Sequence, residues 1–278
     1  MKGSTHRTPT RARAGHPCRG VGGVPYVGRV RRFRRVLLLM LVGLLGYGVG
    51  LGQPFLLRPP LTPGQDAVSD VASRAAVVSL DDVGGRVLSI RPVEPARVLF
   101  VLYPGGLVRP QAYEWLGRAL ASRGVHTVIP EFLADLAVVD ANRAGALIAH
   151  YAEGRPVVLG GHSLGGAMAA GYAADHPGAA AGLVLMASYP AQDKTLAGAS
   201  LSALSLQAEL DGVADADAVR GGLDRLPPGS RLVVVPGAVH SFFGRYGPQA
   251  GDGSPTVSRA EAEAVIVEAV AAYLAGVP

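Results

Sequence analysis

Ser163 lies in Gly161-His162-Ser163-Leu164-Gly165, with the apolar run PVVLGG (156–161) leading into it and the helix-like GGAMAAGYAADHP (165–177) following it. A serine on a sharp strand-to-helix turn is forced into a strained conformation with its oxygen exposed. Its neighbours at 161 and 165 must be small, because helix and strand backbones approach closely there. The N-terminus of the following helix adds positive potential where a reacting oxygen would become negative. The bare G-x-S-x-G pattern is weak, since roughly 0.3 matches arise by chance in a chain this rich in glycine. Its weight comes from the strand and helix on either side; the bland alternative is a solvated serine in a tight glycine turn.

A serine hydroxyl becomes a nucleophile only with a base in reach and an acid orienting that base. On a parallel sheet with such an elbow the acid and then the base follow, each after a later strand. Two histidines lie downstream. His176 precedes Pro177 at the end of the elbow's helix and reads as a helix-end residue, whereas His240 follows the last strand pattern in VVVPGAVHSFFG and fits the base. His162 adjoins the serine, but adjacent residues on a turn point apart, so it is given no proton-transfer role. Asp211 stands directly after ALSLQAEL, with a glycine behind it, and fits the acid; Asp193, after the preceding strand, is the other candidate. Asp215, Asp217 and Glu209 suit a helix start and a strand residue. For an oxyanion, one main-chain N–H is expected from Leu164 and a second from the loop LYPGGLVRP, where Gly106 is preferred and Gly105 is the alternative.

These residues need elements to hold them. Strand patterns fall at 75–80, 86–92, 97–103, 126–131, 156–161, 182–188, 203–210 and 231–237, and helical patterns at 110–123, 138–152, 165–175, 214–224 and 258–275. The last helix opens with Ser258 and Glu261 in a capping pattern and stops at Gly276. Two strands that pair first, then repeated strand–helix units, describe an α/β domain with a mostly parallel sheet of about eight strands and helices on both faces. Runs such as VLFVL and LVLM suit buried parallel strands.

The 278-residue chain, 49% hydrophobic, can bury one large core. Residues 1–35 hold ten of the 26 Lys/Arg and no acid, which leaves 16 basic against 21 acidic residues in the remainder. A basic tail on a mildly acidic body argues against nucleic-acid binding. Cys18, the only cysteine, sits in that tail, so no intramolecular disulfide exists and the compartment is left open.

Residues 36–57 carry no charge, and 22 helical residues reach roughly 33 Å, enough to cross a bilayer core. Four arginines just ahead orient the N-terminus to the cytoplasm and the body to the outside. The organisation expected is a basic cytoplasmic tail (1–35), a transmembrane signal anchor (36–57), a Pro-rich spacer (58–71) and a folded domain (72–278). A cleaved signal peptide ending near Gly52, giving a secreted protein, is the rival.

The segments YPGGLVRPQAYEWLGRALASRGV, GGHSLGGAMAA, ASYPA, DGVA and HSFFGRYGPQAGDG resemble the α/β-hydrolase superfamily, and more narrowly α/β-hydrolase family 5, over about residues 75–275. The resemblance implies the α/β-hydrolase fold and a Ser163–Asp211–His240 triad. Relatives often read Asn-His-Ala-x-Phe-Gly around the base, where this chain has Val239-His240-Ser241-Phe242-Phe243-Gly244; the departure touches neighbours of the base only. YGPQAGDG also matches, and Tyr246 and Gln249 in it either line the site or build a rigid turn. About a dozen residues separate the sixth and seventh strand patterns, too few for a cap domain, so an open and shallow site is expected. The function implied is a serine hydrolase of carboxylic ester or thioester bonds acting on a small-molecule or envelope ester, with neither metal nor organic cofactor. The alternative is a non-catalytic hydrolase-fold module that binds an envelope component, since fold alone does not prove activity.

Overall fold

The computed structural model describes residues 26–56 and 76–278. Cys18, the first 25 residues of the basic tail and the expected spacer lie outside the described residues. Helix α1 (Tyr26–Leu56) begins ten residues ahead of the expected apolar segment. No proline interrupts the sequence between Pro25 and Pro54, so the helix takes in the arginine cluster as well. Its Arg31–Gly52 portion, 22 residues of mean hydropathy 1.8, is the one helix among the described residues long and apolar enough to cross a membrane. By length and composition it fits a membrane span and a signal sequence alike.

The rest of the described chain builds on one eight-stranded sheet. The strands are β1 (Val77–Asp82), β2 (Arg86–Arg91), β3 (Val98–Tyr103), β4 (Val125–Pro130), β5 (Val157–His162), β6 (Gly182–Met186), β7 (Ser202–Ala208) and β8 (Arg231–Val235), in the order β1-β2-β4-β3-β5-β6-β7-β8. β1 and β2 pair antiparallel, as do β2 and β4, and every later pairing is parallel. Each expected strand forms, with ends displaced by at most two residues. The helices are α2 (Glu114–Ala121), α3 (Arg143–Tyr151), α4 (Leu164–Asp175), α5 (Ala216–Gly221) and α6 (Arg259–Ala275). The expected 110–123 helix is split: Pro110–Tyr113 forms a 3-10 turn, and Tyr113, at φ −112° and ψ 3°, breaks the path before α2.

Every residue of β3, β4, β5 and β6 is buried, which is what a parallel sheet covered on both faces requires. Alternation along β3 divides its side chains between two cores. Phe100 and Leu102 pack with Leu116 and Leu120 of α2 and Ile266 and Val270 of α6. Leu99 and Val101 pack with Leu147 of α3 and Ala169 and Ala170 of α4. The segment 187–201, between β6 and β7, holds neither helix nor strand, so no cap is built there.

At the start of α6 the Ser258 hydroxyl accepts the Glu261 N–H while the Glu261 carboxylate accepts the Ser258 N–H, a reciprocal cap foreseen from the sequence. Because α6 covers one face of the sheet, Ser258→Ala is expected to destabilise the domain by about 1 kcal/mol and lower its melting temperature by roughly 2–4 °C in a calorimetric scan.

Candidate active site

Ser163 occupies the turn between β5 and α4 at φ 51° and ψ −124°, a conformation costly for a residue with a Cβ. It stands at the N-cap of α4, yet its hydroxyl makes no capping hydrogen bond. An N-cap serine ordinarily accepts an N–H of the first turn, and this one does not. The turn is fixed through its main chain. The Ser163 N–H donates to the Met186 carbonyl at 2.9 Å, and the Ser163 carbonyl accepts the Ser188 hydroxyl at 2.7 Å. A Cβ at Gly161 would collide with the Gly165 main chain, and one at Gly165 with the main-chain oxygens of Tyr103 and Pro104. The small neighbours are therefore a steric requirement of the turn.

His240 and Asp211 meet on the loops after β8 and β7. Nδ1 of His240 lies 2.9 Å from Oδ2 of Asp211, and both side chains are 1% exposed. The other carboxylate oxygen of Asp211 accepts the N–H groups of Val213 and Ala214 at 2.8 and 2.7 Å, so both buried oxygens have hydrogen-bond partners. Asp193 is exposed, beside Lys194, well apart from this pair in its environment. Asp215 is the N-cap of α5, Asp217 pairs with Arg220, and Glu209 accepts the Gly237 N–H. His176 stacks on Tyr172 at the end of α4.

Asp252 was not singled out from the sequence, yet it organises the loop that carries His240. Its carboxylate accepts the N–H groups of His240, Ser241 and Gly253, each at 2.9 Å. Burial alone would raise its pKa; the hydrogen bonds from Ser241, His240 and Gly253 outweigh that and hold it below the ordinary value. At the opposite end of the His240–Phe243 turn, the Arg259 guanidinium donates to the carbonyls of Ser241 and Gly244 at 3.0 and 2.6 Å and lies over the Phe242 ring. A carboxylate thus holds the N–H end of this turn and a cation holds its C=O end, each matching the backbone dipole. The Tyr246 hydroxyl donates to Gln249 Oε1 at 2.9 Å within the YGPQAGDG segment that leads to Asp252.

The loop after β3 carries Gly105 and Gly106, the two candidates expected for a second oxyanion donor. Gly105, the alternative to the preferred Gly106, has its N–H engaged: it donates to the Tyr113 hydroxyl at 2.8 Å. The expectation narrows to Gly106. Among the described residues neither the Gly106 nor the Leu164 N–H donates to a protein acceptor. Backbone strain gathers at this same end of the sheet. Of the six non-glycine residues with positive φ among the described residues, five (Leu107, Ala134, Asp135, Ser163 and Ala187) follow the C-terminal ends of β3, β4, β5 and β6, and Glu153 lies elsewhere. Such strain persists only where the surrounding structure over-determines it.

A family model described as the alpha/beta hydrolase family matches residues 99–264. The chain belongs to the alpha/beta hydrolase family. A solved structure described as a predicted CIB-like hydrolase from Thermoplasma acidophilum superposes with a TM-score of 0.52 at 20% identity, covering 72% of this chain and 98% of that one. That likeness speaks for the fold. No curated protein matches the sequence. In this alpha/beta hydrolase the groove beside Ser163, about 300 Å³ in volume, is lined by Leu164, Ala167, Ala187, Ser188, Tyr189, Ala191, Val213 and Ala214. No charged side chain lines it, and no group of three metal-ligating side chains occurs among the described residues.

Asp252→Asn keeps the shape and removes the charge. Because the folded-state pKa of Asp252 is depressed, its contribution to stability is present above the unfolded-state value of about 4 and is lost as pH falls through the folded value. Urea unfolding of the two proteins should therefore show the variant less stable at neutral pH, with the gap closing as the pH is lowered towards 2–3.

Proposed function

We propose that this alpha/beta hydrolase cleaves carboxylic ester or thioester bonds through Ser163, His240 and Asp211. The observation that carries the reading is the buried Asp211–His240 hydrogen bond, on loops that leave the sheet at the same edge as the strained, uncapped Ser163. Asp211 fixes the proton of His240 on Nδ1, which leaves Nε2 as the base. Nε2 takes the proton from Ser163 Oγ as the oxygen attacks the substrate carbonyl. The resulting oxyanion accepts the N–H groups of Leu164 and Gly106, at the N-terminus of α4 and in the loop after β3. Collapse expels the alcohol or thiol, protonated from Nε2, and leaves an acyl group on Ser163. Water, deprotonated by the same nitrogen, attacks that acyl group and releases the acid.

The groove argues for the kind of substrate. Its apolar lining supports a neutral ester with a short arm, and a volume near 300 Å³ sits at the lower limit for small-molecule sites. The absence of a cap between β6 and β7 adds to the case for an open site. The domain organisation proposed is a basic tail, a single membrane anchor near 36–57, a spacer and a hydrolase domain from about residue 72 on the outer side. The uncharged helix with arginines at its start supports this.

The test is fluorophosphonate labelling of the full chain beside Ser163→Ala and Asp211→Asn, with p-nitrophenyl esters of increasing acyl length. Ser163→Ala should lose labelling and lower turnover by on the order of 10⁴-fold or more, and Asp211→Asn should lower it by about 10⁴-fold. Butyrate should be cleaved at least about tenfold faster than palmitate. A folded wild-type protein that neither labels nor turns over would remove the enzyme reading and favour a binding module.

A further inference from the structure

Tyr113 is completely buried, and its hydroxyl is the centre of a chain of contacts that runs between the two loops of the site. It accepts the Gly105 N–H at 2.8 Å, and it lies 2.9 Å from Nδ1 of His162. With the Gly105 proton already directed at the phenol oxygen, the hydroxyl proton goes to Nδ1. Burial, and then the charge of His240, push the pKa of His162 well below its ordinary value, so the ring is neutral and can accept that proton. Burial also pushes the Tyr113 phenol well above its usual range and keeps the proton on it. The His162 ring in turn packs on the His240 ring, with centroids 4.5 Å apart. The turn containing Tyr113 is tied to the end of the His240 loop, where the Arg245 N–H donates to the Ala112 carbonyl at 2.7 Å.

The effect on the oxyanion loop follows from peptide geometry. The Gly105 carbonyl accepts the Val108 N–H at 3.1 Å. Because the peptide is trans, the Gly106 N–H points the opposite way from that carbonyl. The preceding peptide unit has its N–H fixed on Tyr113. Two successive glycines would otherwise let these peptide planes turn freely. A phenylalanine at 113 would fill the same core space, so the hydroxyl, costly to bury unpaired, is accounted for by its two polar partners.

On the reading that this is a serine hydrolase, we infer that Tyr113 is a positioning residue that sets the Gly106 N–H of the oxyanion hole, through a buried Gly105–Tyr113–His162 tether backed against the base. Neither Tyr113 nor His162 touches the substrate in this role.

The experiment is Tyr113→Phe in the full chain, with concentrations set by fluorophosphonate active-site titration so that misfolded protein does not count. Turnover of p-nitrophenyl butyrate should fall about tenfold in kcat, with KM within about twofold. Affinity for a butyl trifluoromethyl ketone, whose Ser163 adduct places an oxyanion in the hole, should weaken by the same factor. A purely structural role would lower the titrated active fraction and leave kcat per active site and ketone affinity unchanged, and that result overturns the inference. Amide hydrogen exchange in the wild-type protein is an independent reading that needs no variant: the Gly105 N–H should be protected, and exchange at the rate of an open loop overturns the tether. If the wild-type protein itself neither labels nor turns over, the hydrolase reading fails and the role of Tyr113 fails with it. An active wild type with an equally active Tyr113→Phe sinks the tether alone.

Discussion

The close approach of α4 to β5 and β3 governs the rest of the structure. Gly161 and Gly165 bring the main chain of the elbow against the ends of two strands, closer than any side chain would permit. That contact tips the N-terminus of α4 towards the sheet edge and throws Ser163 outwards at positive φ. The sheet register then decides what surrounds it. Tyr103 of β3 pairs with Gly161 of β5, so the loop after β3 and the elbow leave the sheet side by side. His162 pairs with Met186, which puts Ser188 within reach of the Ser163 carbonyl. Ala208 pairs with Val235, and the loops carrying Asp211 and His240 depart together. Parallel strands in order thus convert distant sequence positions into one cluster, at the edge where ligands of open α/β sheets bind.

Two carboxylates near one histidine pose an electrostatic question, and the hydrogen bonds answer it. Asp211 divides its oxygens between the imidazole and two main-chain N–H groups. Asp252 takes main-chain N–H groups, including that of His240 itself, together with the Ser241 side chain, and touches no imidazole nitrogen among the described hydrogen bonds. One carboxylate therefore faces the ring and the other holds the backbone beneath it. The two loops can lie this close because they cross at glycines: a Cβ at Gly212 would strike the Gly251 carbonyl, and one at Gly253 the Leu210 carbonyl. The Gly-Asp-Gly at 251–253 is thus read as a bracket, with a carboxylate between two points of backbone contact.

Much of this was legible in the sequence because it follows local rules. The eight strands are apolar runs between turn signals, and the Ser258–Glu261 cap and the elbow depend on residues a few positions apart. Asp211 was separable from Asp193 only as a matter of strand ends; the structure adds that Asp193 faces solvent and Asp211 faces His240. What the sequence did not reveal depends on long-range partners. The sequence favours Gly106 over Gly105 without a partner for either, and it is the Tyr113 hydroxyl, eight residues on, that engages the Gly105 N–H. His162 was set aside because it points away from the serine. It does point inward, and its inward ring is what reaches Tyr113 and His240. Asp252 carried no signal beyond a glycine-flanked acid, since its partners are main-chain atoms that no sequence pattern identifies.

The distribution of strain ties these observations together. A non-glycine residue at positive φ costs of order 1–3 kcal/mol, and such a residue persists only where its surroundings over-determine it. Leu107 is held by its N–H on the Asp135 carbonyl, which joins two strained loops to each other, and Ser163 is held on both of its main-chain groups. Ala187 adjoins Ser188, the residue that pins the elbow. The strained positions therefore brace one another across the ends of neighbouring strands. A sheet end that needed only to close off a core would be satisfied by ordinary turns of glycine, asparagine and proline at little cost. Here the unfavourable geometry is spread over the ends of four neighbouring strands. The stability that offsets this strain must come from the two cores and the helices that cover them.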